Sequence, residues 1–193
     1  GLNDTERGWG LREETWRFMH ALERMKGQTW FSLGDQDLAT HVLRTERLRN
    51  GARLSEVTAE LCSALGIQHT VSPMADQSIR TTVDTEEGPL PFQRYFVDRQ
   101  CEPKVSGFRY VGAVDASMAF KFISAVERDD LAAIIICPSN PFISIDPILA
   151  VPGARKALRE CKAPIVAVTP IVGGAAIKGP AAKMLGELGY DVS

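Results

Sequence analysis

The chain has 193 residues, a formal net charge of −2 at pH 7, 45% hydrophobic residues and 24% charged residues, which is ordinary for a globular domain or a domain with an insertion. The near-neutral balance gives no electrostatic footprint for nucleic acid, and no apolar run approaches the roughly 20 residues of a membrane helix. Four cysteines without CxxC spacing argue against a zinc or redox motif and predict reduced thiols in a cytoplasmic protein.

The first third of the chain is predicted to form three helices. A first helix is indicated by apolar residues at spacings of three, namely Trp16, Met19, Leu22 and Met25. A second helix ends at Gly51 and carries Leu38, Val42 and Leu48 on or near one face. Ser55 is typical of the N-cap of a third helix. We therefore predict an α-helical subdomain over residues 11–66.

The remaining residues, 67–193, combine β-rich and alternating patterns. Residues 67–74 and 104–112 are typical of strands, and residues 79–97 of two strands around a turn at Glu87–Gly88–Pro89. A helix over 118–128 is followed by the apolar run 131–137, which is typical of a parallel strand covered on both faces.

The end of the chain continues this alternation. It contains a helix interrupted near Pro152, a buried strand over 163–168, a helix between Pro180 and Gly189, and the start of another strand at 190–193. The pattern predicts an α/β fold: a Rossmann-like, mostly parallel sheet with an α-helical insertion and a β-hairpin region.

The first candidate site is the turn after the apolar strand, in the string IIICPSNP. Pro138 and Pro141 fix their own φ and push the preceding residues towards extended geometry. Ser139 and Asn140 are thus held just past a strand end, where ligands bind in open α/β sheets. Their hydroxyl, amide and N–H groups suit a phosphate or a base edge, and a plain turn is the alternative. Asp146–Pro147 is typical of an N-cap and N1 pair.

The second candidate is the loop TPIVGGAAIKGP, which follows the next buried strand. Gly173 and Gly174 allow close backbone approach, and Lys178 offers a positive charge near a helix start. The order of a Walker A loop is missing, so a flexible structural loop with a solvated lysine is the alternative.

The third candidate lies at the start of the second predicted helix. Asp37, His41 and Arg44 are spaced i, i+4 and i+7 and share a helix face, which suits a polar ligand or a solvated surface. Asp35 or Asp37 could hold Mg²⁺, which often uses one or two carboxylates plus phosphate oxygens. The candidate residues of this stretch are Gly34, Asp35, Asp37, His41, Arg44 and Thr45.

Three strings occur in order along the chain: WFSLGDQDLATHVLRTERLRNG, CPSNPFISIDPILAVPG and AVTPIVGGAAIKGPAAKML, with GPLPFQRYFV between the first two. Together they closely resemble the 2-phospho-L-lactate transferase family of coenzyme F420 biosynthesis, from about Trp9–Gly10 to Ser193. The resemblance implies a Rossmann-like sheet with a helical insertion. It also implies an Mg²⁺-dependent transferase that passes the phosphoryl group of guanosine-diphosphate-activated phospholactate or phosphoenolpyruvate to the terminal hydroxyl of the deazaflavin FO, releasing GMP.

By motif, the resemblance divides the candidate residues between two substrates. On the guanosine-diphosphate side it implies Ser139 and Asn140, with Gly173, Gly174 and Lys178 near the same pocket. On the acceptor side it implies catalytic roles for Asp35, Asp37, His41 and Arg44, supporting contacts from Gly34 and Thr45, and a metal contact for Asp35. Phosphoryl transfer depends on positioning and charge neutralisation, so these residue types suit it without a nucleophile.

One departure from the family pattern concerns the metal. The family opens with a glycine-rich strand and turn, followed by an acidic pair and a further aspartate, none of which is in this chain. We therefore expect the main Mg²⁺ ligands outside it, and expect a fragment or a degenerate member. The alternative functions are a nucleotide-sugar-binding regulator of the related gluconeogenesis-factor branch, or an inactive fragment. A homodimer is the default expectation, with the β-hairpin region as its interface.

Overall fold

A computed structural model describes residues 3–192 of the chain. By their internal contacts the residues form two compact units, Gly1–Val71 and Ser72–Ser193. The sequence pattern placed the division between residues 66 and 67, at the end of the last predicted helix of the first unit.

The first unit contains the three predicted helices. They are α1 (Arg17–Arg24), α2 (Asp35–Arg49) and α3 (Leu54–Ala64). Its buried hydrophobic residues are Met19 of α1 and Val57 of α3. No residue of α2 is buried, and Val42, in its predicted apolar stripe, is 60% exposed. The helical periodicity of α2 was predicted correctly, but its apolar positions are not covered by the described residues.

The start of α3 differs from the prediction that Ser55 is its N-cap. The N-cap is Arg53, and the helix begins at Leu54. The Glu56 carboxylate accepts a hydrogen bond from the Arg53 backbone N–H at 2.9 Å and from its guanidinium at 2.7 Å. Because a glutamate at the N3 position satisfies the free N–H of the N-cap residue, the helix begins earlier than the serine indicates.

The second unit begins with a three-stranded antiparallel sheet in the order β2-β1-β3. The strands are β1 (Arg80–Thr85), β2 (Gly88–Pro91) and β3 (Val105–Val111). The predicted hairpin is confirmed, with Thr85 opposite Gly88. Its second strand is shorter than predicted, because Arg94–Asp98 forms one turn of π-helix. This turn buries Tyr95 completely and lets its hydroxyl donate to the Cys101 carbonyl at 3.2 Å.

Two predicted strands are absent. Residues 67–74 form no strand, and the neighbouring Ala75 makes only a single bridge to Met118. Residues 190–192 are irregular, and Ser193 lies outside the described residues. Both stretches have strand-like composition but no ladder partner among residues 3–192, so their backbone groups are not paired as a strand requires.

The alternating part of the second unit follows the predicted order. It comprises α4 (Phe120–Val126), β4 (Ile134–Ile136), a π-helical turn (Pro141–Ile145), α5 (Asp146–Leu149), α6 (Ala154–Glu160), β5 (Ile165–Ala167), β6 (Ile171–Val172), β7 (Ala175–Ala176) and α7 (Ala181–Glu187). Strands β4 and β5 are parallel, and β6 pairs with β7 antiparallel. The α/β class is confirmed, and the parallel part of the described chain consists of β4 and β5.

The expectation that the parallel strands are covered on both faces is wrong for the described residues. Ile135 at the centre of β4 is 64% exposed and Val166 at the centre of β5 is 51% exposed, whereas Ile134 and Ile136 are half-buried. An apolar run indicates that a strand suits a covered position, but it does not supply the element that covers it.

The main core of the second unit lies between the antiparallel sheet, the π-helical turns and α7. Its buried residues are Val83, Tyr95, Val105, Phe142 and Met184. All four cysteines are free thiols, as the absence of CxxC spacing predicted. Among residues 3–192, no helix is both long and apolar enough to cross a membrane.

Candidate functional site

The carboxyl ends of β4 and β5 lie side by side at one edge of the parallel pair. Ile136 is opposite Ala167 in the register, and the Val168 N–H donates to the Ile136 carbonyl at 3.0 Å. The turn after β4 and the loop after β5 therefore start at the same edge. Since open α/β sheets bind ligands at this edge, it is the candidate functional site of the second unit.

Asn140 holds the turn after β4 together from the inside. Its Oδ1 accepts hydrogen bonds from the backbone N–H groups of Phe142 at 3.0 Å and Ile143 at 3.3 Å. Its Nδ2 lies 3.1 Å from the Sδ of the fully buried Met184. Asn140 is thus the N-cap of the π-helical turn, and its side-chain amide is engaged within the protein instead of being open to a ligand.

The capping role that the sequence assigned to Asp146 is therefore filled by Asn140. Asp146 is the first residue of α5, not its N-cap, and Pro147 follows it in the first turn. The Asp146 carboxylate pairs with the Arg155 guanidinium at 3.0 Å. The prediction was wrong because the π-helical turn joins α5 directly, so the free N–H groups lie six residues earlier in the chain.

Ser139, the residue before Asn140, differs from it in its side-chain contacts. It is half-buried, and no residue in the range 3–192 hydrogen-bonds its hydroxyl. The preceding Cys137 and Pro138 are exposed. Of the two residues predicted in this turn, Ser139 is the one whose side chain is available to a phosphate or base.

Gly173 and Gly174 form the two-residue loop of a tight hairpin between β6 and β7. Their φ angles are +57° and +77°. Two consecutive positive φ angles are typical of a type I′ turn, for which glycine has no steric penalty. The positive φ angles of this turn therefore explain both glycines without a bound ligand. Lys178 follows this hairpin, is exposed and has no partner among the described residues.

In the first unit, Asp35 anchors the start of α2. Its Oδ1 accepts from the Thr15 N–H at 2.6 Å and from the Gln36 N–H at 3.1 Å, and its Oδ2 accepts from the Thr15 hydroxyl at 3.1 Å. The Thr15 N–H is the largest cause that lowers the pKa of Asp35 below its usual value. Both oxygens are engaged, so a metal ion would have to displace or share these hydrogen bonds.

Gly34, the N-cap of α2, is required by the close approach of Glu14. A Cβ at Gly34 would lie 1.9 Å from the Glu14 Cδ, and Gly34 is buried. Glu14 is only 8% exposed, and its Oε1 accepts from the Leu11 N–H at 3.1 Å. Its Oε2 has no partner among residues 3–192. The sequence pattern missed Glu14 because a single acid outside a motif carries no signal of burial.

The other candidates on α2 lie where the helix predicts them. Asp37, His41 and Arg44 share a face of one regular helix, as their spacing requires. Asp37 is half-buried, and His41 and Arg44 are exposed, with no described partner for any of the three. His41 and Thr45 also line a shallow surface concavity along the helix, with Val42 between them.

The described residues contain no group of three or more His, Cys, Asp or Glu side chains that could hold a metal ion. The described residues therefore do not fit an Mg²⁺ site whose ligands all come from the protein. A site shared with phosphate oxygens needs fewer protein ligands. No described residue engages the Asp37 carboxylate, whereas Asp35 accepts hydrogen bonds from Thr15.

Comparison with known proteins places this arrangement in context. The family model described as 2-phospho-L-lactate transferase CofD matches residues 2–192. The chain is 37% identical to the 2-phospho-L-lactate transferase of Methanosarcina acetivorans and 38% identical to that of Methanococcoides burtonii, over 98% and 100% of this chain. It is 40% identical to the phosphoenolpyruvate transferase of Mycobacterium tuberculosis, over 97% of this chain. It spans 61%, 62% and 58% of the lengths of these relatives.

Solved structures share the fold of this chain. Two crystal structures of a Bacillus halodurans protein, one of them described as a member of the UPF0052 family, align with TM-scores of 0.53 and 0.52. The identities are 20% and 18%, covering 71% and 68% of this chain and 41% and 40% of those chains. At this level of identity the likeness concerns the fold alone.

Proposed function

Because this chain belongs to the 2-phospho-L-lactate transferase CofD family, we propose that it transfers a phospholactyl or phosphoenolpyruvyl group to the terminal hydroxyl of the deazaflavin FO in coenzyme F420 biosynthesis. In the proposed donor a diphosphate joins the three-carbon acid to guanosine. The FO hydroxyl attacks the phosphorus that carries the acid, the bond from that phosphorus to the bridging oxygen breaks, and GMP leaves. The observation that carries the proposal is the family match across residues 2–192, which includes both candidate sites.

The relatives bear the names of transferases with two donors, phospholactate and phosphoenolpyruvate, at 37–40% identity. The two donors differ by one small group. A pocket distinguishes such groups by roughly 1–3 kcal/mol, which similarity across the chain does not resolve. The proposal therefore covers both donors.

The donor side of the proposal rests on the turn after β4. Ser139 presents a hydroxyl without a described partner, at the edge where parallel strands end. This hydroxyl would donate a hydrogen bond to a phosphate oxygen. Lys178, which is also unengaged by described residues, would neutralise part of the diphosphate charge. Positioning and charge neutralisation of this kind are the main protein contributions to phosphoryl transfer.

The acceptor side rests on α2. His41 and Thr45 line a concavity with the exposed apolar Val42, a combination that suits a ring system bearing polar groups. Arg44 would hold negative charge of the transferred group, and Asp37 would orient the acceptor hydroxyl. Asp35 and Gly34 would act by holding the start of this helix in place, since their contacts are to Thr15 and Glu14.

We include Mg²⁺ in the proposal as the counter-ion of the diphosphate. Such an ion uses phosphate oxygens with one or two carboxylates, and when bound it would neutralise charge on the donor. The described residues contain no group of three or more His, Cys, Asp or Glu side chains, so phosphate oxygens would supply much of its coordination. A cytoplasmic location and a homodimer are proposed on the same footing, from the cysteine pattern and from the general frequency of dimers.

Two titrations test the proposal on this chain. GDP binding is measured by calorimetry, and FO binding by quenching of the tryptophan fluorescence, because Trp30 lies shortly before α2. We expect Kd values in the micromolar range or below for both. Ser139→Ala should weaken GDP binding about tenfold and leave FO binding unchanged, as expected for one lost hydrogen bond to a charged group. His41→Ala, which alters the concavity assigned to FO, should do the reverse.

The matched controls are Ser63→Ala and His20→Ala, which remove the same groups from exposed positions on α3 and α1. Neither should change either affinity. Absence of GDP and FO binding to the wild-type chain would refute the proposed function. Binding of GDP without FO would favour the nucleotide-binding regulator. Transfer itself is followed as GMP release from the activated donor in the presence of FO and Mg²⁺.

A further inference from the structure

The π-helical turn behind Ser139 lacks one of its own backbone hydrogen bonds. In a π-helix, the carbonyl of residue i accepts from the N–H of residue i+5. The Pro141 carbonyl follows this rule and accepts from the Asp146 N–H. The next carbonyl, of Phe142, would take its bond from residue 147. That residue is a proline and has no N–H to donate.

A tyrosine from another element supplies the missing donor. The Tyr110 hydroxyl donates to the Phe142 carbonyl at 2.5 Å. Tyr110 lies on β3, where it is opposite Thr81 of β1, so the hydroxyl is presented by a paired strand. A tyrosine hydroxyl keeps its proton at neutral pH and can donate it, and burial raises the pKa of Tyr110 further above its usual value. The carbonyl that Pro147 leaves without a backbone donor is therefore satisfied.

Phe142 lies between the Tyr110 hydroxyl and the residues that begin the turn, Ser139 and Asn140. Its N–H donates to Asn140 Oδ1 at 3.0 Å, and its ring stacks on Phe108 with a centroid separation of 5.1 Å and an interplanar angle of 5°. Asn140 directly follows Ser139 and lies between it and Pro141, whose φ is fixed. A displacement of Phe142 would therefore be passed to Ser139 through very few free torsions.

We propose that Tyr110 is a positioning residue for the donor: by replacing the N–H that Pro147 cannot supply, it holds Ser139 in the orientation that binds a nucleotide diphosphate. The proposal rests on the proposed function, in which this turn meets the donor. It assigns Tyr110 no contact with substrate. The residue acts through Phe142 and Asn140, and its loss should change the affinity for the nucleotide and not for the acceptor.

The test combines Tyr110→Phe with a second substitution that restores the missing donor. Tyr110→Phe should raise the Kd for GDP about tenfold, equivalent to about 1.4 kcal/mol, and leave FO binding unchanged. It should also speed hydrogen exchange at the Phe142 and Ile143 amides. Adding Pro147→Ala gives residue 147 an N–H that can donate to the Phe142 carbonyl. The double variant should recover GDP affinity to within about threefold of the wild type, since one backbone donor replaces the hydroxyl.

The matched control is Tyr190→Phe. Tyr190 contacts the same Phe142 ring at 5.8 Å, but its hydroxyl makes no hydrogen bond with a described residue. This variant should leave GDP affinity and amide exchange unchanged. A variant that only loosens the fold would not regain affinity when a buried proline is also replaced, so the recovery separates positioning from general stability.

The outcomes distinguish the inference from the proposed function. If the wild type binds GDP and Tyr110→Phe binds it equally well, the positioning role is wrong and the proposed function stands. If Pro147→Ala fails to restore affinity in the Tyr110→Phe background, then Tyr110 does not act by substituting for the backbone N–H that Pro147 lacks. If the wild type binds no GDP, the proposed function fails and the positioning role with it, while amide exchange still decides whether the hydrogen bond orders the turn.

Discussion

Asn140 and Ser139 are adjacent, yet their substitution should affect the stability of the fold to different extents. Asn140→Ala removes the acceptor of two backbone N–H groups, those of Phe142 and Ile143. It also removes the contact of Nδ2 with Met184. Ser139→Ala removes a hydroxyl that no described residue engages. The first change should therefore lower stability and, by loosening the turn, also weaken nucleotide binding. The second should weaken nucleotide binding and leave stability unchanged.

The size of the stability effect follows from the two hydrogen bonds. Loss of an N-cap side chain costs roughly 0.5–2 kcal/mol. The Phe142 N–H is buried with its residue, which is 9% exposed, and an unsatisfied buried donor costs about 1–3 kcal/mol. These describe the same loss in two ways, and we expect about 2 kcal/mol for Asn140→Ala. Ser139→Ala should stay within about 0.5 kcal/mol of the wild type.

Urea unfolding followed by tyrosine absorbance measures this difference, because Tyr95, Tyr110 and Tyr190 all lie in the second unit. Asn140→Asp, which keeps an acceptor at the same place, should recover most of the loss, since aspartate caps as well as asparagine does. If Asn140→Ala were as stable as Ser139→Ala but bound GDP more weakly, Asn140 would be a ligand-binding residue and the capping argument would be wrong.

Three further predictions concern other positions. Gly34→Ala should destabilise the first unit by roughly 1–3 kcal/mol in tryptophan-monitored unfolding, because its Cβ would displace the buried Glu14 carboxylate. The control is Gly186→Ala, inside α7, where no atom lies within 4 Å of the added Cβ. This change should instead stabilise the protein by about 0.5–1 kcal/mol. Gly173→Ala should cost roughly 1–2 kcal/mol of unfolding free energy in thermal denaturation because its φ is +57°, and Gly173→Asn should cost less; equal costs would exclude the turn as the cause. The pKa of Tyr110 is raised above 10.0 in the folded chain. The unfolded chain therefore releases this proton at a pH where the folded chain still keeps it. The contribution of protonated Tyr110 to the free energy of unfolding is complete below pH 10 and is lost as the pH rises. Unfolding free energy measured from pH 9 upwards should therefore fall less steeply in Tyr110→Phe than in the wild type, and identical slopes would contradict the raised pKa.

The order and type of most elements could be predicted from the sequence, because the signals are local. The periodicity of α2, the turn residues of the β1–β2 hairpin and the glycines between β6 and β7 each act within a few residues. The turn after β4 was predicted to lie at a strand end, and the parallel pairing of β4 with β5 confirms that place. Family membership also followed from the sequence, because long motifs identify relatives without any knowledge of contacts.

The roles of individual side chains depended on contacts between distant parts of the chain. Asn140 and Met184 are 44 residues apart, and Tyr110 and Phe142 are 32 residues apart, so no local pattern indicates that these pairs meet. The same applies to Gly34, where glycine is required because the Glu14 carboxylate occupies the space of a Cβ. Burial of Tyr95 likewise turned a predicted strand into a π-helical turn. The sequence alone determined most of the helices, the β1–β2 hairpin and the family that the chain resembles. Only the tertiary structure decided which polar groups are consumed by the fold and which stay available, because a hydrogen bond formed across the chain depends on packing that sequence spacing does not encode.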